Sequence, residues 1–356
     1  MPKAVEALAA GHPDKICDQI VDGIVDEYLR RDPESRLDIK VLGSHGMIMI
    51  GGEVNSTADF DVAALAKQIY SEIGYKDEIE VFVNVEPSSE EMKKTVGSYD
   101  TVVVNGYATR ETREFLPLPY VLSQGLVRRL DDLRKLDPQF HWLGEDGKAQ
   151  VIMEGKKISA VTLLASHAPD VAVNDVRSAL LERVVYPIIG SENVQIFINP
   201  IGSFVSRGFA ADAGGSGRRP AADFYGALIP HGDCSPIGKD PSRAERAGAL
   251  MARYVAKHLV AQGLAESAMV SLAYTLGRSE PIMLEVRAVG EKSRGSKMDF
   301  TNLVKEKFDF RLESIVEKLD LKKPRYRSVA TYGQFGREGV PWEDCDSSEG
   351  MRAMRI

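Results

Sequence analysis

Two short motifs of one make open two long helices in this chain, and they limit the folds open to it. Gly11-His12-Pro13-Asp14-Lys15 precedes an apolar stripe of Ile16, Ile20 and Ile24, widened by Val21, Val25 and Tyr28. Gly238-Lys239-Asp240-Pro241 precedes a second stripe, Ala244, Ala247, Met251, Val255 and Leu259, running to about Ala261. Each motif joins a glycine and charged groups to a proline at the predicted helix start, where the missing N–H costs nothing. Paired strands follow each helix: Leu37–Glu53 reads as a hairpin turning at Gly43-Ser44-His45-Gly46, and Val270–Leu276 precedes Ile282–Val286. The repetition predicts pseudo-repeated α+β units rather than the strand–helix alternation of a doubly wound sheet. At 356 residues the chain exceeds one ordinary core, so two or three domains are expected. No GxxxxGK[ST] segment occurs, and no GxGxxG follows a predicted strand, which excludes P-loop and Rossmann sites.

Further elements fill the intervals. Helices are predicted over Asp59–Ile73, from Pro117 and Pro119 to about Leu136, over Val176–Val185, over Phe300–Phe308 and over Leu312–Leu319. Strands are predicted at Glu80–Val85, from Val102 towards Gly106-Tyr107-Ala108-Thr109, and at Gln150–Met153, Ile158–Ala165 and Val194–Asn199. Glu145-Asp146-Gly147-Lys148 reads as a turn, and Glu86–Tyr99 as a mobile polar surface segment. On the first helix Asp14, Asp18, Asp22 and Asp26 form one row, and the last three read as a solvated face. Asp14, in the first turn beside His12, reads either as a dipole-stabilising residue or as a magnesium ligand next to a bound phosphate. Glu53, after Gly51-Gly52, suits an ammonium group or a plain solvated turn. His141, His167 and His258 read as surface or core residues.

Asp212-Ala213-Gly214-Gly215-Ser216-Gly217-Arg218-Arg219 carries the densest chemistry: an acid, three glycines, a hydroxyl and two guanidinium groups. Glycines let a ligand approach the backbone, exposed N–H groups form anion nests, and arginines fork onto phosphate oxygens. Taken alone the stretch fits an exposed Gly/Ser loop as well. Net charge settles which anion is in question. At −7 the chain is unsuited to nucleic acid or a membrane surface, so a basic cluster serves a small anionic ligand. The three cysteines, Cys17, Cys234 and Cys345, have no CxxC spacing, and no apolar run reaches membrane-spanning length. A cytoplasmic protein with reduced thiols and no zinc site is expected.

In their order these motifs resemble one family, the S-adenosylmethionine synthetases or methionine adenosyltransferases. The resemblance runs from Glu6 to about Glu343 and is of the bacterial type with a short active-site loop. Besides the two helix-opening motifs it rests on Gly51-Gly52-Glu53, Gly106-Tyr107-Ala108-Thr109, Asn199-Pro200, Asp212-Ala213-Gly214, Gly217-Arg218 and Tyr332-Gly333-Gln334-Phe335-Gly336-Arg337-Glu338. It implies an α+β fold of three pseudo-symmetric domains, each a mixed β-sheet backed by helices. The expected domains are 1–98, 99–205 and 206–346, with a tail at 347–356. It also implies that two subunits pack sheet to sheet with active sites between them, as a homodimer or dimer of dimers. The implied reaction displaces the whole triphosphate of ATP by the sulfur of L-methionine, then hydrolyses the triphosphate to phosphate and diphosphate.

By motif match, the resemblance implies catalytic roles for His12, Lys148, Arg218 and Lys239. ATP contacts would come from Glu6, His12, Asp100, Asp146, Lys148, Phe204, Asp212, Arg218, Arg219, Ser235 and Lys239. Methionine would meet Glu53, Asp212 and Arg243. Asp14 and Glu245 would hold magnesium, with two ions expected. Such a set suits the chemistry, because negative charge grows on the leaving triphosphate and fixed cations stabilise it. The sequence departs from the family pattern in several places. Lys40 stands where potassium-activated members carry a ligating glutamate, so activity without added potassium is expected. Glu86–Tyr99 is short and lacks the expected glutamine, leaving Pro87, Ser88 and Ser89 nearest. Ser203 replaces an arginine, Arg219 and Arg243 replace lysines, Glu245 replaces an aspartate, and Pro220 is unusual. Two other readings stay open: a nucleotide-binding homologue without catalysis, and an enzyme that hydrolyses tripolyphosphate only.

Overall fold

Residues 2–190, 193–290 and 299–345 are described by a computed structural model; the expected tail at 347–356 lies outside them. The chain passes three times through one order of strand, long helix, hairpin and second helix. The first pass is β1 (Pro2–Leu8), α1 (Pro13–Arg31), β2 (Arg36–Ser44), β3 (Met47–Asn55), α2 (Val62–Ile73), β4 (Glu80–Glu86) and the single turn α3 (Glu90–Lys93). The second is β5 (Val102–Thr109), α4 (Leu118–Leu136), β6 (Leu143–Glu154), β7 (Lys157–His167), α5 (Val173–Leu180), α6 (Tyr186–Ile189) and β8 (Gln195–Ile198). The third is β9 (Gly214–Gly215), α7 (Pro220–Asp223), α8 (Ala244–Ala261), β10 (Ser267–Tyr274), β11 (Met283–Val289), α9 (Phe300–Lys307), α10 (Leu312–Lys318) and α11 (Tyr326–Val329).

Each hairpin anchors one sheet, and each sheet takes a strand from another pass. The orders are β4-β3-β2-β9, β1-β6-β7-β8 and β11-β10-β5. Thus β1 pairs with the second hairpin, β5 with the third and β9 with the first, a cyclic exchange that ties the three units together. The β3–β4 and β7–β8 pairs are parallel, which makes those two sheets mixed. A helix backs each sheet: α1 lies on β2 and β9, α4 on β1 and β6, α8 on β5 and β10. Ile16, Ile20 and Ile24 of α1 are fully buried against Ile39, Val41 and Ile50. Each such isoleucine contributes about 2 kcal/mol of burial. Leu126, Leu130 and Leu133 do the same in the second unit, and Met251, Val255 and Leu259 in the third. No helix among the described residues is long and apolar enough to cross a membrane.

Four expectations are corrected. Asp18 and Asp22 are not solvated but fully buried, and Asp26 is partly so. The polar face of α1 is covered by later chain. Asp18 binds Lys15 (2.9 Å) and the Gly217 N–H (2.8 Å). Asp22 binds Arg246 (2.7 Å) and the Gly238 N–H (2.9 Å). Asp26 accepts the N–H groups of Arg325, Tyr326 and Arg327 at the start of α11. Glu145–Lys148 is no turn but part of β6, kinked by a register shift between Leu143 and Gly147. Pro241 does not open α8, which starts at Ala244 after Arg243. The Asp240 carboxylate bonds back to Leu37 N (2.8 Å) and Ser242 N (2.8 Å), holding the motif as a loop. The hairpin turn is shorter than expected, since β2 runs through Ser44 and β3 starts at Met47. The Glu86–Tyr99 segment holds α3 and is tied at its far end, where Ser98 N donates to Arg278 O (3.0 Å).

Candidate active site

The start of α1 builds one wall of the site. His12 is the N-cap, its Nδ1 accepting the Asp14 N–H (3.2 Å), and Pro13 follows at the first helical position. Asp14 Oδ1 accepts Gly215 N–H (3.0 Å) and an Arg218 guanidinium N–H (3.2 Å), while Oδ2 accepts Arg219 Nε–H (2.7 Å). The backbone comes this close because Gly214 lacks a side chain: a Cβ there would lie 2.1 Å from the Pro13 carbonyl oxygen. Burial alone would raise the Asp14 carboxyl, but the Arg219 and Gly215 hydrogen bonds hold it below its ordinary range. Burial also pushes His12 down to about 4, with Arg219, Lys148 and Lys15 adding to it against Asp14, so its imidazole is neutral at pH 7. Lys148, on β6, pairs with Glu6 of β1 at 2.7 Å. Glu6, His12, Asp14, Lys148, Arg218 and Arg219 thus meet in one patch.

Beside Lys148 on β6 stands Asp146, buried and pushed up to about 7 by desolvation, with Asp212 and Glu145 adding to it and the Gly208 and Gly147 N–H groups opposing. Asp212 is exposed, its Oδ1 accepting the Ala213 N–H (2.8 Å). Phe204 is half-buried and held by His167 at both backbone atoms: Phe204 N donates to His167 Nε2 (3.2 Å) and His167 N donates to Phe204 O (2.9 Å). Sequence reasoning missed this use of His167, because it assigned the residue no partner. His258 is a core residue and His141 is exposed.

A second patch gathers around Lys239. Its ammonium bonds Glu245 and lies 3.5 Å from Asp38. Burial works to lower Lys239, but the Glu245 and Asp38 carboxylates outweigh it and raise the group. Lys40 sits 3.0 Å from the other oxygen of Asp38. Glu53 is the cross-strand partner of Asp38 and accepts the Ser88 hydroxyl (2.9 Å), so Ser88 of the short segment does meet Glu53. Arg243 is buried, 4.7 Å above the Tyr99 ring, with Nε lacking a hydrogen-bond partner. Asp100 follows Tyr99, the ring under Arg243, and its Oδ1 accepts the Thr101 N–H (2.7 Å). Ser235 lies against Gly217, whose Cβ would be 3.0 Å from the serine's own.

Both patches line one edge of β2. Leu42 and Gly43 pair with Gly215 and Gly214, and Asp38 bridges to Lys239. Asp38 and Leu42 are four residue steps apart along the strand, about 13 Å. Among the described residues no group of three or more His, Cys, Asp or Glu side chains stands ready to hold a metal ion. A magnesium ion would therefore take single carboxylates and complete its shell from water and phosphate oxygens. Glu245 fits that use, since its Oε2 is buried and without a hydrogen-bond partner. At Asp14 an ion would displace a guanidinium.

Models of three domains match the chain in order. They are the S-adenosylmethionine synthetase N-terminal domain at residues 3–97, central domain at 95–204 and C-terminal domain at 206–344. The chain is 33% identical over 372 residues to the S-adenosylmethionine synthase of Aquifex aeolicus, covering 99% of this chain and 98% of that protein. It is 36% identical over 374 residues to the enzyme of that name from Treponema pallidum, covering 96% and 93%. The same name belongs to a Deinococcus radiodurans protein 36% identical over 394 residues, with 98% and 96% covered.

Proposed function

This chain belongs to the S-adenosylmethionine synthetase family, and from that membership we propose that it makes S-adenosyl-L-methionine from ATP and L-methionine. The sulfur attacks the ribose C5′, the C5′–O bond breaks, and the electron pair leaves on the triphosphate. Water then cleaves the triphosphate to phosphate and diphosphate. The observation that carries the site reading is the cationic wall on Asp14: two guanidinium groups, a buried neutral imidazole and Lys148 around a glycine-cleared backbone. Fixed cations ahead of the leaving group do no reorganising as charge develops. His12, neutral and with Nδ1 taken by the Asp14 N–H, donates its Nε2–H near the scissile bond without adding charge.

In this reading Arg218, Arg219, Lys148 and Lys239 hold phosphates; Arg218 and Arg219 turn from Asp14 to do so. Phe204, fixed by His167, stacks on adenine, with Asp146, Asp212, Asp100 and Ser235 around the nucleoside and Glu6 beside Lys148. Glu53 takes the methionine ammonium, with Asp212 and Arg243 beside it. Asp14 and Glu245 hold two magnesium ions, which neutralise triphosphate charge when bound. Lys40 supplies the positive charge that potassium gives other members. A cytoplasmic homodimer or dimer of dimers fits cysteines that form no disulfide among the described residues, and the apolar outer sheet faces.

Incubating the purified chain with ATP, magnesium and L-methionine, then weighing the products, tests the proposal. S-Adenosylmethionine together with phosphate and diphosphate is expected. ATP binding without an adenosylated product would make it a binding homologue. Hydrolysis of added tripolyphosphate without synthesis would leave only the second half-reaction.

A further inference from the structure

The motif Tyr332–Glu338 has no task in the site above. It folds as a tight loop after α11, with Tyr332, Gly333 and Gly336 all at positive φ. This loop walls a cleft of about 970 Å³ against α4 and α8, and none of the residues assigned to ATP or methionine lines it. Four cations face the cleft, and two of them are matched. Arg113 pairs with Glu114 (2.7 Å) and Lys257 with Glu343 (2.8 Å). Arg128 and Arg337 are left with no carboxylate within ion-pair distance among the described residues, although Glu338 and Asp344 also reach the cleft. Arg337 spends its Nε and Nη2 on the carbonyls of Gly333 (3.1 Å) and Thr331. Both guanidinium groups lie over one ring, that of Tyr332, at 5.4 and 5.7 Å.

Two like charges on one ring repel, and the half-buried one has lost hydration as well. Burial and Arg128 together push Arg337 down to about 10. An oxyanion with at least two charges and paired oxygens relieves both costs, because the Arg128 fork matches two such oxygens and Arg337 still has its Nη1 to donate. We propose that the Arg128–Arg337 cleft is a second phosphate site, apart from the catalytic one, for a diphosphate-class anion. The ligand is either the free anion or the phosphates of a nucleotide.

Calorimetric titration of the full chain carrying Lys148→Ala, Arg218→Ala, Arg219→Ala and Lys239→Ala, which removes all four cations assigned to the catalytic phosphates, isolates the second site. Diphosphate is expected to bind once per chain, and adding Arg128→Glu is expected to weaken it by about tenfold or more. Arg337→Lys, which keeps charge but loses the fork, is expected to weaken it as well. ATP titrated in parallel separates the sources: binding as tight as diphosphate assigns the site to nucleotide phosphates, and no binding assigns it to the free anion. Arg128→Glu alone is expected to leave the KM for ATP and methionine unchanged. Absence of diphosphate binding in the silenced chain, binding indifferent to Arg128→Glu, or a raised KM for ATP in the single variant would each overturn the proposal.

Discussion

Single residues decide how this chain differs from its relatives. Lys40 is exposed on the outer face of β2 and shares Asp38 with Lys239. An ammonium there cannot bind potassium but delivers one positive charge at the same carboxylate. Initial rates are expected to respond to potassium no more than to sodium. Lys40→Glu is expected to lower the rate by about tenfold, some 1.4 kcal/mol of barrier, and potassium to restore it. Strong potassium activation of the wild type would refute the assignment. In the proposed site, Asp146 sets the pH response. Burial raises its carboxyl to about 7, so the empty site is protonated below that pH and ionised above it. A carboxylate accepts nucleoside hydroxyls better than the acid does, so ATP favours the ionised form. The kcat/KM for ATP is then expected to fall as pH drops below about 7, by up to about tenfold per unit. Asp146→Asn should flatten that limb, and an unchanged limb in the variant would assign the ionisation elsewhere.

At the scale of elements, α1 is the axle of the molecule. Its apolar face was legible in the sequence because Ile16, Ile20 and Ile24 recur at helical period, and the motif order singled out His12, Asp14, Lys148, Arg218 and Arg219, which the fold gathers in one patch. Its aspartate row was not. Period reveals a second face, but nothing local tells that chain more than 190 residues later covers it. The same reason hid β6 at Glu145–Lys148, where turn-forming residue types are overruled by the pairing of Leu143, Gly147 and Lys148 with β7 on either side of an irregular step. Asp22 measures the cost of this buried face. Asp22→Ala leaves the Arg246 guanidinium buried without its carboxylate and frees the Gly238 N–H. A loss of about 3–5 kcal/mol is expected, read as a lower urea midpoint with unchanged slope. Because Arg246 Nε also holds the Lys239 carbonyl (2.7 Å), the KM for ATP should rise in the same variant. A loss below about 1 kcal/mol would mean that water replaces the carboxylate.

On the scale of the whole molecule, three facts converge on the outer sheet faces. Along β2, Leu37, Ile39 and Val41 point into the core, whereas Lys40 and Leu42 are exposed. Met47, Met49 and Phe82 are exposed on the same face of the neighbouring strands. Contiguous apolar surface of this kind marks an interface. The third fact is the spacing of about 13 Å along β2 between the Asp14–Arg218–Arg219 wall and the Lys239–Glu245 wall. In the proposed homodimer, a two-fold axis through packed sheets would let the first wall of one copy face the second wall of the other, so that each site would draw on both chains. Mixing inactive chains tests this without perturbing the interface. His12→Ala chains and Lys239→Ala chains, each nearly inactive alone, exchange into mixed dimers after mild dissociation and reassociation. If the walls act in trans, one site of each mixed dimer carries both lesions and the other carries none. Random pairing then makes half the dimers mixed, each with one intact site, and restores about a quarter of wild-type activity. If both walls serve one site within a single chain, every site in every dimer carries a lesion and mixing restores nothing. Phe82→Asp supplies the companion measurement: sedimentation should show a folded monomer, and a monomer that keeps full activity would place the complete site in one chain.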